Sequence, residues 1–190
     1  YGTRLTLGLI ETKLTEHKML NDCTLNVVEQ GETVKLNNFK IEFIRTNHSI
    51  ADSCALALHT PIGVIIHTGD IKVDYTPIDG KVIDLGRFAE LGKKGVLLLM
   101  ADSTNVTHPG HTMSESSLGE TLHRYFTKAS GRIIIATFAS NIHRLQQIIN
   151  ACELTKRKIA FSGRSMEKIS EVAIKLGYLN IPEGMLVGLD

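Results

Sequence analysis

Two stretches of the chain combine residue types that hydrolytic chemistry uses: Thr46-Asn47-His48-Ser49-Ile50 and Val64-Ile65-Ile66-His67-Thr68-Gly69-Asp70. His48 and Asp70 each follow an apolar alternating run. Each is therefore expected where a strand ends and a side chain can turn into a cleft. An imidazole nitrogen suits a Zn²⁺-like ion, and a carboxylate can bridge two such ions. Spacing alone leaves a second reading open. A His at a strand end can be a hydrogen-bonded structural residue, and Gly69-Asp70 is also ordinary turn chemistry.

Three further groups are candidates. Asp102 follows the apolar run Val96 to Met100, which puts a carboxylate at a cleft edge, although Asp102-Ser103-Thr104-Asn105 is also rich in capping residues. Ser140, Asn141 and His143 lie where an expected strand passes into an expected helix. Free N–H groups and the helix dipole at such a junction favour an anion. Ser162-Gly163-Arg164-Ser165 repeats the arrangement, and Arg grips phosphate in bidentate fashion. Ser140, Asn141, Arg164 and Ser165 are therefore candidates for phosphate contact. His108-Pro109-Gly110-His111 reads as linker, and His17, His59 and His123 as surface or packing residues. His67 is expected to pack within or beside the sheet.

The elements that must position these groups follow from periodicity. Arg4 to Leu20 has helical spacing. Cys23 to Glu29, Thr33 to Leu36 and Phe39 to Ile44 alternate as strands. Cys54 to His59 and Gly63 to His67 form a hairpin around Pro61-Ile62. Val96 to Met100 suits a strand buried on both faces. After Asn105 the character changes. Thr112-Met113-Ser114-Glu115 has the form of a capping box, so a helix is expected from there to about Lys128. Arg132 to Phe138 and Lys158 to Phe161 read as strands, Asn141 to Thr155 and Ser165 to Leu176 as helices. Alternating strand and helix predicts a parallel sheet with right-handed crossovers.

Composition bounds the function classes. The 190 residues are 43% hydrophobic and 22% charged, an ordinary globular balance. No apolar run approaches the roughly 20 residues that span a bilayer, and Tyr1 to Ile10 is no signal peptide. Three Cys (Cys23, Cys54, Cys152) without C-x-x-C spacing favour reduced thiols in a cytoplasm over a disulfide frame. The net charge of +1 hides an asymmetry: Arg124 to Lys175 holds ten Lys or Arg against three acids. Such a block attracts phosphates, although a solvated basic helix surface is the plainer alternative.

Four stretches occur in one order: His48-Ser49-Ile50-Ala51-Asp52-Ser53, His67-Thr68-Gly69-Asp70, Ala101-Asp102-Ser103-Thr104-Asn105 and Thr137-Phe138-Ala139-Ser140-Asn141-Ile142-His143-Arg144. Order and wording resemble the ribonuclease J family, of the metallo-β-lactamase superfamily with an inserted β-CASP domain. The resemblance implies an α/β chain: part of a metallo-β-lactamase αββα sandwich over residues 1–107, then part of a β-CASP parallel-sheet domain over 108–190. It matches His48 to a terminal metal ligand and Asp70 to the carboxylate bridging two divalent ions, Zn²⁺ or Mn²⁺. Asp102 matches an acid assisting proton transfer to the leaving oxygen, and His143 a contact to the scissile phosphate. The activity implied is RNA phosphodiester hydrolysis, as endonuclease and 5′–3′ exonuclease, by a cytoplasmic, homo-oligomeric protein with no membrane association.

The superfamily's H-x-H-x-D-H motif is absent, since no two of the eight His are separated by one residue. The expectation is an internal piece of a larger nuclease, inactive alone. Two alternatives remain at this point: a catalytically silent RNA-binding subunit of the same fold, and a relative acting on DNA.

Overall fold

A computed structural model describes residues 1–189. It is mixed α/β and divides into two compact units, one built from residues 1–48 and 52–113, the other from 49–51 and 114–190. No helix among the described residues is long and apolar enough to cross a membrane.

The first unit opens with helix α1 (Arg4–Glu16). Sequence spacing carries this helix to Leu20, but Lys18 takes a left-handed φ of 59°. Lys18 N–H then donates to Thr15 O at 3.0 Å and Met19 N–H to Leu14 O at 2.8 Å, which ends the helix early. Its start is capped from a distance. The Asp52 carboxylate accepts from Leu5 N–H and from Thr3 Oγ1, both at 3.0 Å.

A five-stranded sheet follows, in sequential order: β1 (Thr33–Leu36), β2 (Phe39–Arg45), β3 (Cys54–Thr60), β4 (Gly63–His67) and β5 (Leu98–Met100). The first three pairings are antiparallel, and β5 joins β4 in parallel. Helix α2 (Leu85–Lys94), not among the expected elements, makes that parallel return feasible. Asp84 caps it, its Oδ1 accepting from Arg87 N–H at 2.9 Å. Leu91 of α2 joins Ile44, Ala55, Ala57 and Ile66 in the core, with Phe88, Val64 and Val96 packed against them.

Inside this unit lies a polar cluster. Glu42, 8% exposed, accepts from Arg87 Nη2 at 3.0 Å and meets His59 Nε2 at 3.1 Å. Arg87 also reaches Glu90 at 2.6 Å. The Arg87 hydrogen bond, then His59, hold the Glu42 carboxyl below its ordinary value of 4.5, against the opposing effect of burial. A depressed carboxyl contributes stability above its unfolded pKa and loses that contribution as pH falls through the folded one. Arg87→Ala strands a buried carboxylate and is expected to cost about 2–3 kcal/mol. Urea unfolding read by circular dichroism at neutral pH measures that cost. The same series repeated towards pH 4 should show the gap between variant and parent narrowing.

Several expected strands differ. Val96 to Met100 was expected to be buried on both faces, but Leu98, Leu99 and Met100 are 48%, 59% and 47% exposed, because β5 is an edge strand. Of Cys23 to Glu29, only Val27 forms a bridge, to Gly2.

The second unit contains α3 (Leu118–Lys128), α4 (Ile142–Leu154) and α5 (Arg164–Lys175). The expected capping box shifts. Ser114, not Thr112, accepts from Ser116 N–H at 3.3 Å and starts a short 3₁₀ turn leading into α3. Glu115 is drawn away from capping by Arg144, whose guanidinium binds its two oxygens at 2.7 and 3.1 Å. The expected parallel sheet is not formed among the described residues. Arg132 to Phe138 carries no strand pairing, and Lys158 to Phe161 contributes only the parallel bridge Ile159–Leu186. Ile134 and Phe138 are 90% and 80% exposed.

Candidate functional site

Strand direction explains how three distant residues reach the same end of the sheet. Both β2 and β4 run antiparallel to β3, and β5 runs parallel to β4. All three therefore point the same way and end at one edge of the sheet. His48 lies three residues past β2, Asp70 three past β4, and Asp102 two past β5.

The span from β2 to β4 is two strand spacings, about 10 Å. The chain narrows it. Beyond the start of β3 no strand separates the two extensions, and Asn47 forms an antiparallel bridge with Lys72, whose N–H donates to Asn47 O at 2.7 Å. One residue further on, His48 runs alongside the Gly69–Ile71 segment that carries Asp70. The buried Asn47 side chain fixes this extension from behind, donating to Lys81 O at 2.7 Å and accepting from Ile83 N–H at 2.8 Å.

The loop bearing Asp70 is held on its other side by the segment after β5. Thr68 N–H donates to Met100 O at 3.0 Å, and Asp102 N–H donates to Thr68 Oγ1 at 2.9 Å. Asp102 Oδ2 accepts from Ile71 N–H at 3.2 Å, while Oδ1 accepts from Thr104 N–H and Oγ1 at 2.8 and 2.7 Å. The Thr104 hydrogen bonds, then that from Ile71, hold the Asp102 carboxyl below its ordinary value, and the nearby His48 adds to the effect. Asp102 is thus an ionised tether, its oxygens turned to N–H and O–H donors. Gly69 is required for the turn. It has a φ of 62°, and a Cβ there would sit 3.3 Å from Cys54 O.

In this arrangement His48 is half-buried and Asp70 exposed at the sheet edge. His67, expected to pack beside the sheet, is exposed, and its Nδ1 accepts from Gly69 N–H at 3.0 Å. Cys54 offers no thiolate here, since burial pushes its thiol up to about 12. Among the described residues, no three or more His, Cys, Asp or Glu gather in a way that could hold a metal ion. His48 and Asp70 have the donor chemistry for such a site but supply only two ligands.

In the second unit, Asn141 caps α4, its Oδ1 accepting from Arg144 N–H at 3.1 Å, and is itself buried. Its side chain is therefore committed to the helix. Ser140 is half-buried just before it, and half-buried His143 sits in the first turn. The α5 start is different: Gly163, at φ 103°, gives no side-chain cap, and Arg164 and Ser165 are exposed. The basic block is smaller than its count, because Arg144 is paired with Glu115 and Arg157 with backbone carbonyls.

Sequence reasoning passed over Asn47, Thr68 and Thr104, which position the three candidates. Their only local signal is their place inside the quoted stretches; their partners lie up to 36 residues away.

Comparison with known proteins places the chain. Residues 130–190 match the family described as "Ribonuclease J, beta-CASP domain". Over 190 residues the chain is 48% identical to a ribonuclease J of Synechocystis sp., covering 100% of this chain and 30% of that protein. It is 45% identical to ribonuclease J of Thermus thermophilus over 96% of this chain and 32% of that protein. The corresponding figures for Corynebacterium glutamicum are 44%, 100% and 26%. The chain thus spans about a third or less of the curated relatives it matches. A solved structure of a protein of unknown function from Enterococcus faecalis V583 superposes with a TM-score of 0.67 at 15% identity, over 100% of this chain and 49% of that one, a likeness of fold. Residues 130–190 are thus similar to the β-CASP domain of ribonuclease J, within a chain that resembles ribonuclease J from end to end.

Proposed function

We propose that the protein to which this chain contributes is a metal-dependent ribonuclease that hydrolyses RNA phosphodiester bonds, both internally and from the 5′ end, in a bacterial cytoplasm. The observation that carries the reading is that His48, Asp70 and Asp102 follow three strands that run in one direction and finish at the same end of the sheet. The ribonuclease J relatives supply the substrate class.

The first unit is then part of a metallo-β-lactamase sandwich, and the second part of a β-CASP domain. His48 would bind one divalent cation, Zn²⁺ or Mn²⁺, and Asp70 would bridge two, with the remaining ligands coming from outside this chain. The pair of ions, when bound, supplies a hydroxide nucleophile at neutral pH and neutralises charge on the phosphate.

The chain's own residues do the positioning. Asp102 keeps the Asp70 loop in place through Ile71 N–H, with His48 close enough to its carboxylate to favour the ionised acid. In the metal-loaded enzyme that same carboxylate is placed to take up or return a proton near the leaving oxygen. His143, held in the first turn of α4, contacts the scissile phosphate. Ser140 and the uncapped α5 start with Arg164 and Ser165 hold neighbouring phosphates.

The test uses a protein of the relatives' length with labelled 5′-monophosphorylated RNA and single-stranded DNA. Cleavage of RNA, lost on chelation and restored by Zn²⁺ or Mn²⁺, is expected. RNA binding without cleavage under any metal would establish the silent binding subunit instead. Faster cleavage of DNA would move the substrate class.

A further inference from the structure

Arg157 ties together the C-terminal ends of α3 and α4. Its guanidinium donates to Gly131 O at 2.8 Å, to Phe126 O at 3.5 Å and to Ala129 O. Helix α4 ends in a tight turn: Lys156 has a φ of 55°, its N–H donates to Glu153 O at 3.1 Å, and Arg157 N–H donates to Cys152 O at 2.8 Å. This turn fixes the Lys156-Arg157-Lys158 run against the end of α3.

The result is a basic patch with an aromatic in it. Lys128 and Arg132 flank the carbonyls that Arg157 binds, and Arg124 lies one turn before Lys128 on the same helix face. Arg124, Lys128, Arg132, Lys156 and Lys158 are all exposed. Tyr125 is 62% exposed, and the Arg124 guanidinium sits 5.5 Å from its ring centroid. A cation after a helix C-terminus complements the dipole, which accounts for Lys128. It does not account for a solvent-facing Tyr, or for five exposed cations on the segments that Arg157 ties together.

We propose that this patch is a second binding site for single-stranded RNA, with a base stacked on Tyr125 and phosphates held by Arg124, Lys128, Arg132, Lys156 and Lys158. Stacking on an aromatic beside a basic track is how proteins hold single strands without reading sequence. The 13-residue helix α4 separates the patch by about 20 Å from Asn141 and His143 at its other end. RNA engaged here is gripped several nucleotides away from any phosphate held at the α4 start. The proposal rests on the RNA reading given above and adds a location to it.

The test measures anisotropy of fluorescein-labelled oligoadenylate with this 190-residue chain in EDTA, across a salt series. Lys156→Glu/Lys158→Glu is expected to weaken binding about tenfold and to lower the salt slope by about 1.4, the value for two single-strand phosphate contacts. Tyr125→Ala should weaken oligoadenylate binding by about tenfold and leave polyphosphate binding unchanged. Lys156→Gln/Lys158→Gln guards against a folding artefact, and circular dichroism checks every variant. Patch variants that bind like the parent, while Arg164→Ala or His143→Ala weakens binding, would overturn this site and leave the RNA reading standing. No binding by the parent chain would overturn this site, while the cleavage test on the protein of the relatives' length decides the RNA reading separately. Competition by polyglutamate equal to that by RNA, with Tyr125→Ala silent, would assign the patch to an acidic polypeptide and overturn the proposal.

Discussion

Asp70→Ala, placed in a protein of the relatives' length, is expected to lower kcat for RNA cleavage by about a thousandfold while KM changes only a few-fold. The geometry argues for a specific loss. Asp70 is exposed at the sheet edge, so its removal costs little packing. The loop that carries it is held by others, through Thr68, Ile71, Lys72 and Gly69, so the backbone should survive the substitution. What goes is the carboxylate proposed to bridge two cations. Losing that bridge removes charge stabilisation made mainly in the transition state, on the order of 4 kcal/mol, and 1.36 kcal/mol is tenfold in rate. The RNA contacts proposed for the second unit do not involve Asp70, which is why KM should hold. Asn47→Ala is the contrasting case. It removes the brace behind His48 and should lower both activity and thermal stability. Full activity in Asp70→Ala would leave the residue as a turn former and the metal reading without its bridging ligand.

What the sequence revealed and what it hid have separate physical causes. Local hydrogen bonding was legible. The hairpin of β3 and β4 is built by neighbours around Pro61-Ile62, and α4 begins at the Asn141 that its own residue type nominates. Strand-like pattern was legible without its outcome. The apolar runs Val96 to Met100 and Arg132 to Phe138 suit a strand without fixing what it pairs with. Both segments keep well-exposed apolar residues, with Leu99 at 59% and Phe138 at 80%. Helix α2 was legible but passed over: Asp84 caps it and Leu85, Phe88 and Leu91 form its apolar stripe, although Gly86 and Gly92 dilute its propensity. For the site, strand ends were enough to nominate His48, Asp70 and Asp102. The bracing around them was not legible, because Asn47 and Asp102 find their partners 31 to 36 residues away. The Glu42–Arg87 pair, 45 residues apart, was hidden for the same reason.

This chain by itself is expected neither to retain a stable metal pair nor to cut RNA. The argument is a count of ligands. His48 and Asp70 are the proposed ligands in hand, and a stable Zn²⁺ site generally takes at least three from the protein. Asp102 is a poor third, because its oxygens already accept from Ile71 and Thr104, and swinging it to a cation would free the Ile71 N–H that steadies Asp70. Cys54 stays protonated at neutral pH. Two ligands would leave each cation largely to water, so no hydroxide is held in line with a phosphate. Exposed apolar residues along β5 add a second difficulty: an unprotected strand edge invites pairing with other copies. Elemental analysis after dialysis, run beside a cleavage assay on 5′-monophosphorylated RNA, tests the count, and light scattering follows association. The expected result is less than one tightly held metal per chain, no cleavage above background and concentration-dependent association. Two retained metals per chain, with cleavage abolished by Asp70→Ala, would mean that the chain completes its own site, and the ligand count would be wrong.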